Sequence, residues 1–492
     1  MDSLASQNSV DQGIALYRKG MFAEARTSLR ALVAQDSTNV TAWNVLGFLE
    51  RDIGDAAGAA AAFDKALQLQ PNNVIALKGR ARMALERAEE DAVDRYEAAL
   101  LAAPGDLQLM LEQTEARVSA GDDSAIDDFA EFVERRPEWT DGQVASARML
   151  WESRRDQDFA DHIHQLLKRE PARLDLRRQL IELLSTADMY EAAADSSHSA
   201  RSVAPGIPEF ALMEAVNAGR AGDLDRASGA FALLPPNFPG RAIHDSVHHI
   251  RCGKLDAARA SIEVALGEDP SDIAAWGVAE LIYRKLGDRR AAWLSGQPGL
   301  VRSIDLTLEP AELSAIRTLL LRLQQRGIQV AGQTVRDGTQ TRWRLFDRAD
   351  MELAILKQAV ELAVSDYLAG LPAEDPTHPL LRHRNSPMTI TGSWSVLLTG
   401  NGHHISHVHP LGLIGSACYI VVPDAATDEG QLELGRPPKD FMLDLEPIHV
   451  IAAKPGRLVL FPSYLHHGTR PFGAGQRLSV AFDVHRNLAP GT

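Results

Sequence analysis

The chain has 492 residues and a formal net charge of −15; 45% of its residues are apolar, 24% charged and 6% aromatic. That length exceeds one compact core and predicts a soluble protein of about two to four domains. The strong negative charge repels phosphate backbones and anionic lipid, which argues against nucleic acid and membrane surfaces and favours a basic or neutral partner. Cys252 and Cys418 fall in different regions without metal-type spacing, so no disulfide framework or zinc ribbon is expected. The segment Met1 to Gly13 carries two aspartates and no apolar leader, and no stretch approaches the roughly eighteen apolar residues of a membrane span. A cytoplasmic location is expected.

The first three hundred residues are periodic. An alanine, a large apolar residue four positions on and a proline some eight residues later recur as Ala59, Phe63 and Pro71, then Ala92, Tyr96 and Pro104, then Ala125, Phe129 and Pro137, in steps of 33 residues. The pattern returns less regularly at Ala25 and Leu29, at Ala227 and Phe231 before Pro235, and at Ala258 and Ile262 before Pro270, with Pro171 and Pro205 keeping the spacing. The small residue lets two helices approach, the large one lies on the same helical face and plugs the gap, and proline stops the second helix. Trp43, Leu46, Gly47 and Phe48 resemble the opening of a tetratricopeptide repeat, and Trp276 begins a weaker copy. That resemblance implies about seven to eight helical hairpins between residue 10 and roughly residue 297, the stretch 139–220 matching least. It also implies a concave face that binds a peptide or protein, the alternative being a spacer or dimerisation arm. Trp43, Phe63, Tyr96 and Phe129 are read as core plugs.

Past Gly296-Gln297-Pro298-Gly299 the helical period ends. A helix over about Met351 to Leu368 leads into short β-branched or aromatic runs at Trp394 to Thr399, Ala417 to Val422, Arg457 to Phe461 and Leu478 to Val484. The expected organisation is a helical repeat domain over 1–297, a connecting helical and mixed segment over 298–384 and a β core over 385–492. The class is thus multidomain α+β, an all-α solenoid followed by a jelly roll.

The chemistry concentrates in the last region. His407 and His409 are one residue apart, and in extended chain such residues share a face. His467, 58 positions after His409, completes a set that can hold one metal ion, and Arg477 lies ten residues further on, with Ser479 on the same strand face. A guanidinium fork beside a hydroxyl suits a carboxylate. These residues resemble the double-stranded β-helix oxygenases that use iron and 2-oxoglutarate. The runs Val335 to Thr341, Gly392 to Val396, His407 to Pro410, Leu460 to Tyr464, His467 to Thr469 and Arg477 to Asp483 are similar to the branch of that superfamily fused to tetratricopeptide repeats.

The resemblance implies Fe(II) on His407, His409 and His467, with Arg477 and Ser479 on the distal carboxylate of 2-oxoglutarate and Tyr419 offering a hydroxyl to it. It further implies dioxygen as co-substrate, oxidative decarboxylation of the 2-oxo acid, and hydroxylation of a side chain on a peptide or protein recruited by the repeats. Position 409 departs from the commoner Asp or Glu and leaves the site one charge more positive, a set that zinc and copper also accept. Two alternatives stand beside this reading. One is a three-histidine dioxygenase without a 2-oxo acid, which has no need of Arg477 and Ser479; the other is a catalytically inactive repeat adaptor. His403 and His404 are placed beside the ligands, on the substrate side or in a plain loop. His466 is expected in solvent and Trp394 in the core, and Asp424, Asp428 or Glu429 is a less favoured replacement for His409.

Overall fold

The computed structural model describes residues 2–154, 158–328, 332, 334–423 and 429–486. In its helical part, a short polar residue after the turns at Pro71, Pro104 and Pro270 starts the next helix. Asn73 Oδ1 accepts from the Ala76 amide at 3.0 Å, Asp106 from Leu109 at 3.1 Å and Asp272 from Ala275 at 3.0 Å. These caps satisfy orphan donors at the starts of Val74–Glu86, Leu107–Ala120 and Ile273–Lys285.

Among the described residues eighteen helices from Asp2–Arg18 to Arg290–Leu294 form nine hairpins, more than the signature predicts. Phe63 is fully buried, and a Cβ added at Gly47 or Gly79 would lie 2.7 or 2.4 Å from its ring, so both glycines admit the plug. The stretch 139–220, where the alanine signature fades, is nevertheless regular. Ile163, Leu176, Leu180 and Leu184 bury there with Phe159, Phe210, Ala147, Ala193 and Ala200 in one cluster, so larger aliphatic groups share the packing with alanines.

After the repeats the strands are β1 (Arg302–Asp305), β2 (Val335–Gln340), β3 (Met388–His404), β4 (Ile414–Val421), β5 (Leu432–Leu434), β6 (His449–Ile451), β7 (Arg457–Pro462), β8 (His467–Thr469) and β9 (Gln476–Arg486). They form a six-stranded sheet in the order β1-β7-β4-β9-β3-β2 and a three-stranded sheet in the order β6-β5-β8, every pairing antiparallel. Helices Pro310–Gln324 and Met351–Ala369 bury Ile316, Leu320, Leu356 and Val360 in the same core as β4, β7 and β9. The expected jelly roll thus takes the form of two antiparallel sheets linked by a single bridge between His407 and His467, with no closed barrel among the described residues.

The apolar core continues through the Gly296–Gly299 turn. Ile262, Ile282 and Leu294 from the last two hairpins share one cluster with Leu458, Phe461 and Val480 from the sheet. Trp293 Nε1 donates to Asp375 at 2.7 Å, and the Tyr464 hydroxyl donates to the Leu294 carbonyl at 2.6 Å. Among the described residues no helix is long and apolar enough to cross a membrane.

Candidate metal centre

The three histidines meet where the two sheets touch. His467 begins β8, and its backbone exchanges two hydrogen bonds with His407, at 3.0 and 2.9 Å, in the segment after β3. His409 follows two residues on, its amide donating to the Ser463 carbonyl at 3.2 Å. The ring centroids lie 5.1 Å apart for His407 and His409, 4.2 Å for His407 and His467, and 4.7 Å for His409 and His467. One ligand atom from each falls within 4.8 Å of the others.

Hydrogen bonding on the far side of each ring sets which nitrogen faces inward. His407 Nδ1 donates to the Ile405 carbonyl at 2.8 Å, His467 Nδ1 to the Leu465 carbonyl at 3.1 Å, and His409 Nδ1 to the carboxylate of Asp483. A carbonyl or carboxylate partner requires the proton on Nδ1, which in a neutral ring leaves Nε2 a bare acceptor. His407 Nε2 and His409 Nε2 stand 3.2 Å apart, so that with both rings neutral lone pair faces lone pair. A cation between them resolves that repulsion, and a hydrogen-bonded far nitrogen is how metal-bound histidines are held. Burial, reinforced by the neighbouring imidazoles, keeps His407 and His467 well below the usual histidine range, hence neutral and ready to ligate.

A cavity of about 490 Å3 opens on the three rings. Alternation along β9 sends Arg477, Ser479, Ala481 and Asp483 into it. Arg477 is only 2% exposed, its Nε has no hydrogen-bond partner and no carboxylate among the described residues meets it. Its guanidinium lies 5.0 Å from the Tyr419 ring centre, and the register pairs Tyr419 with Ser479. The Tyr419 hydroxyl is buried beside the guanidinium without a well-formed hydrogen bond to it, and burial, opposed by the Arg477 cation, pushes the phenol up. A buried cation with an unpartnered Nε beside a buried hydroxyl fits the carboxylate of a small acid.

Other expectations fare differently. His404 ends β3, its Nδ1 lies 3.2 Å from the Thr334 hydroxyl, and its ring stacks against His407 at 6.1 Å, so it borders the metal cavity rather than a plain loop. Burial and then the Arg477 charge bring it down to about 3. His403 is half-buried and lines the larger neighbouring cavity, its Nδ1 donating to the Asn401 carbonyl at 3.1 Å. Trp394 is not enclosed in the core; its ring sits 5.7 Å from His409 and lines the cavity. The solvent position expected for His466 is overturned. It is 4% exposed, because helix Ile273–Lys285 closes over it and a Cβ at Gly277 would approach its ring to 3.3 Å. Asp424 and Asp428 lie outside the described residues, while Glu429 accepts from the Gly473 amide at 3.0 Å. Asp483 carries no role in the sequence reading, although its place six residues after Arg477 puts it on the same strand face.

Residues 392–483 match the family described as "Putative 2OG-Fe(II) oxygenase", a span that includes the three histidines, Arg477, Ser479 and Asp483. Residues 10–74 match the tetratricopeptide repeat. No curated protein matches the chain. Similar solved structures include a prolyl-4-hydroxylase from Pseudomonas putida (16% identity, 38% of this chain and 93% of that one, TM-score 0.28). HygX from Streptomyces hygroscopicus with nickel and 2-oxoglutarate bound is also similar (13% identity, 38% and 84%, TM-score 0.28). So is a tetratricopeptide repeat protein from Parabacteroides merdae (16% identity, 52% and 99%, TM-score 0.34).

Proposed function

From a chain that joins an N-terminal tetratricopeptide-like repeat region to a C-terminal 2OG-Fe(II)-oxygenase-like domain, we propose a metal-dependent oxygenase whose ion is held by His407, His409 and His467. The carrying observation is the convergence of three Nε2 atoms whose Nδ1 partners are all engaged elsewhere. An iron ion bound there supplies dioxygen activation. With His407, His409 and His467 as its protein ligands, the ion would border the cavity, where a substrate or co-substrate could reach it. Asp483 orients His409 and places a negative charge one hydrogen bond behind the position where a carboxylate ligand would put it directly. We read the two sheets as the halves of a double-stranded β-helix, since the bridge between His407 and His467 brings them together at the metal. The free thiols Cys252 and Cys418 support a reducing, cytoplasmic setting.

A second reading adds 2-oxoglutarate as co-substrate, and the idle buried cation of Arg477 is what favours it. In that reading Arg477 and Ser479 hold the distal carboxylate, Tyr419 adds its hydroxyl, and the substrate is a side chain on a peptide or protein brought by the repeats. Anaerobic titration with Fe(II) followed by oxygen uptake with and without 2-oxoglutarate separates the cases. Uptake coupled to succinate release supports the second reading; substrate-dependent uptake without it leaves the three-histidine oxygenase alone. Failure to bind iron or a like divalent ion would refute both and leave an inactive adaptor.

A further inference from the structure

A second, larger cavity of about 870 Å3 adjoins the metal cavity, and Thr334, His404, His407, Gly468 and Thr469 line both. One wall is oxygenase-like domain. The other is the repeat region, contributed mainly by the first helices of three successive hairpins, Leu174–Thr186, Glu209–Ala221 and Arg241–Arg251. Direct bonds clamp the walls together: Arg251 donates to the Asp440 carboxylate at 2.5 Å and to its carbonyl at 3.0 Å, Arg336 pairs with Asp188, and the Gly332 amide donates to the Thr186 carbonyl at 2.9 Å. One route to the metal thus lies between the two regions.

The charge of this chamber is opposite to that of the chain. Six arginines and lysines line it against three acids, in a protein of net charge −15. Asp188 and Asp440 are taken up by Arg336 and Arg251, and Glu433 is shared by Arg436 and Arg470. Arg220 and Lys439 meet no carboxylate among the described residues. Arg220 is set in place from the repeat side. Its guanidinium lies 4.0 Å from the Tyr190 ring centre and donates to the Tyr190 hydroxyl at 2.6 Å, and that hydroxyl donates in turn to Asp188. A guanidinium stacked on an aromatic ring and held in one orientation is prepared to bind a carboxylate.

We propose that this chamber is the substrate entrance and that its occupant is an acidic peptide segment, with Arg220 and Lys439 as residues that select it. The inference rests on the oxygenase reading for the purpose of entry, and on its own for the binding. The first-helix wall is the kind of surface along which a helical solenoid holds an extended chain, and its cationic surplus selects the sign of that chain. The overall acidity of the protein, which pointed to a basic or neutral partner, is outweighed locally.

The test uses the full chain loaded with Zn(II) and fluorescein-labelled octaglutamate as probe, with octalysine and N-acetylglutamate amide as comparisons. Anisotropy should show octaglutamate bound more tightly than octalysine. Arg220→Gln and, separately, the exposed-site change Lys439→Glu should each weaken octaglutamate by about tenfold or more, with zinc stoichiometry kept. In Co(II)-loaded protein the bound peptide's proton signals should broaden relative to the Zn(II) form. Equal affinity for octalysine, or full affinity in both variants, would overturn the proposal. Displacement of the probe by N-acetylglutamate amide at the concentration that octaglutamate itself requires would replace the peptide with a small acid. Metal stoichiometry is measured on the same samples, so loss of metal with retained peptide binding would fault the oxygenase reading and not the chamber.

Discussion

Replacing Arg477 by methionine should move ligand affinity and ligand-free stability in opposite directions. The guanidinium is 2% exposed, its Nε has no hydrogen-bond partner and no carboxylate among the described residues faces it, so in the ligand-free protein no ion pair offsets its desolvation. Methionine keeps an apolar stem against the Tyr419 ring and removes the charge. By analogy with buried ion pairs replaced by apolar groups, the ligand-free protein should gain about 1–4 kcal/mol, and each kcal/mol corresponds to roughly 2–4 °C in Tm for a domain of this size. If 2-oxoglutarate occupies the cavity, the same change deletes a charge-assisted fork worth about 2–5 kcal/mol, a loss of roughly 30- to 4,000-fold in affinity. Calorimetry on the metal-free variant and anaerobic titration of 2-oxoglutarate into the Mn(II)-loaded variant read the two effects. A lower Tm together with an affinity within about twofold of wild type would refute the reasoning, since Arg477 would then be an ordinary packing group.

The remaining expectations follow from the same geometry. His407→Ala or His467→Ala should lose the metal by elemental analysis while far-UV circular dichroism keeps the repeat signal, whereas His409→Asp should retain it; stoichiometric metal in either alanine variant would refute the ligand set. Asp483→Asn should weaken metal binding by about 10- to 100-fold in a chelator competition, because the amide no longer holds His409 as an anionic acceptor does; unchanged affinity would show that the contact is idle. His378, fully buried, accepts the Leu380 and Leu381 amides on Nδ1 at 3.2 and 3.1 Å and donates from Nε2 to the Leu294 carbonyl at 3.1 Å, and burial brings it down to about 4. Because its folded pKa lies below the unfolded value, the unfolded chain takes up the proton first as pH falls. Stability is therefore lost between about pH 6.5 and 4, by roughly 2 kcal/mol at pH 5. Carbon-13 labelling of the imidazoles should show this ring still neutral at pH 5, and a protonated ring there would overturn the assignment.

The parts legible in the sequence were those governed by local periodicity. A 33-residue step exposes hairpins whose plugs are Phe63, Tyr96 and Phe129, and alternation on one strand puts Arg477 and Ser479 together. The same alternation reaches Asp483, so the missed partner of His409 was within reach. The hairpins of 139–220 were harder, since leucine and isoleucine pack helices as well as alanine does but leave no fixed signature. His466 and the chamber had no local signal at all. His466 is buried by a helix nearly two hundred residues earlier in the chain, and the chamber is closed by pairs such as Asp188 with Arg336, 148 positions apart. Trp394 misled for a related reason: a large aromatic on an apolar strand belongs to the core unless another element leaves a void in front of it.

The junction between the two regions bears on how the repeats serve the site. A flexible tether would raise the local concentration of a bound segment without fixing its path. Here the last two hairpins share one buried cluster with the sheet, and Arg251, Arg284 and Lys285 bond backbone of the segment after β5 at Asp440, Gly435 and Asp444. That segment, with Pro437 and Pro438 at its centre, also lines the chamber. Helix Arg241–Arg251 both lines the chamber and bonds this segment through Arg251, which makes the repeat region part of the cavity rather than an arm beside it. Cutting the chain at residue 297 would expose the apolar faces of Leu294, Tyr464 and Phe461. The separate contributions of recruitment and catalysis are therefore best read from point changes such as Arg220→Gln and Arg477→Met in the intact chain, where one wall changes at a time.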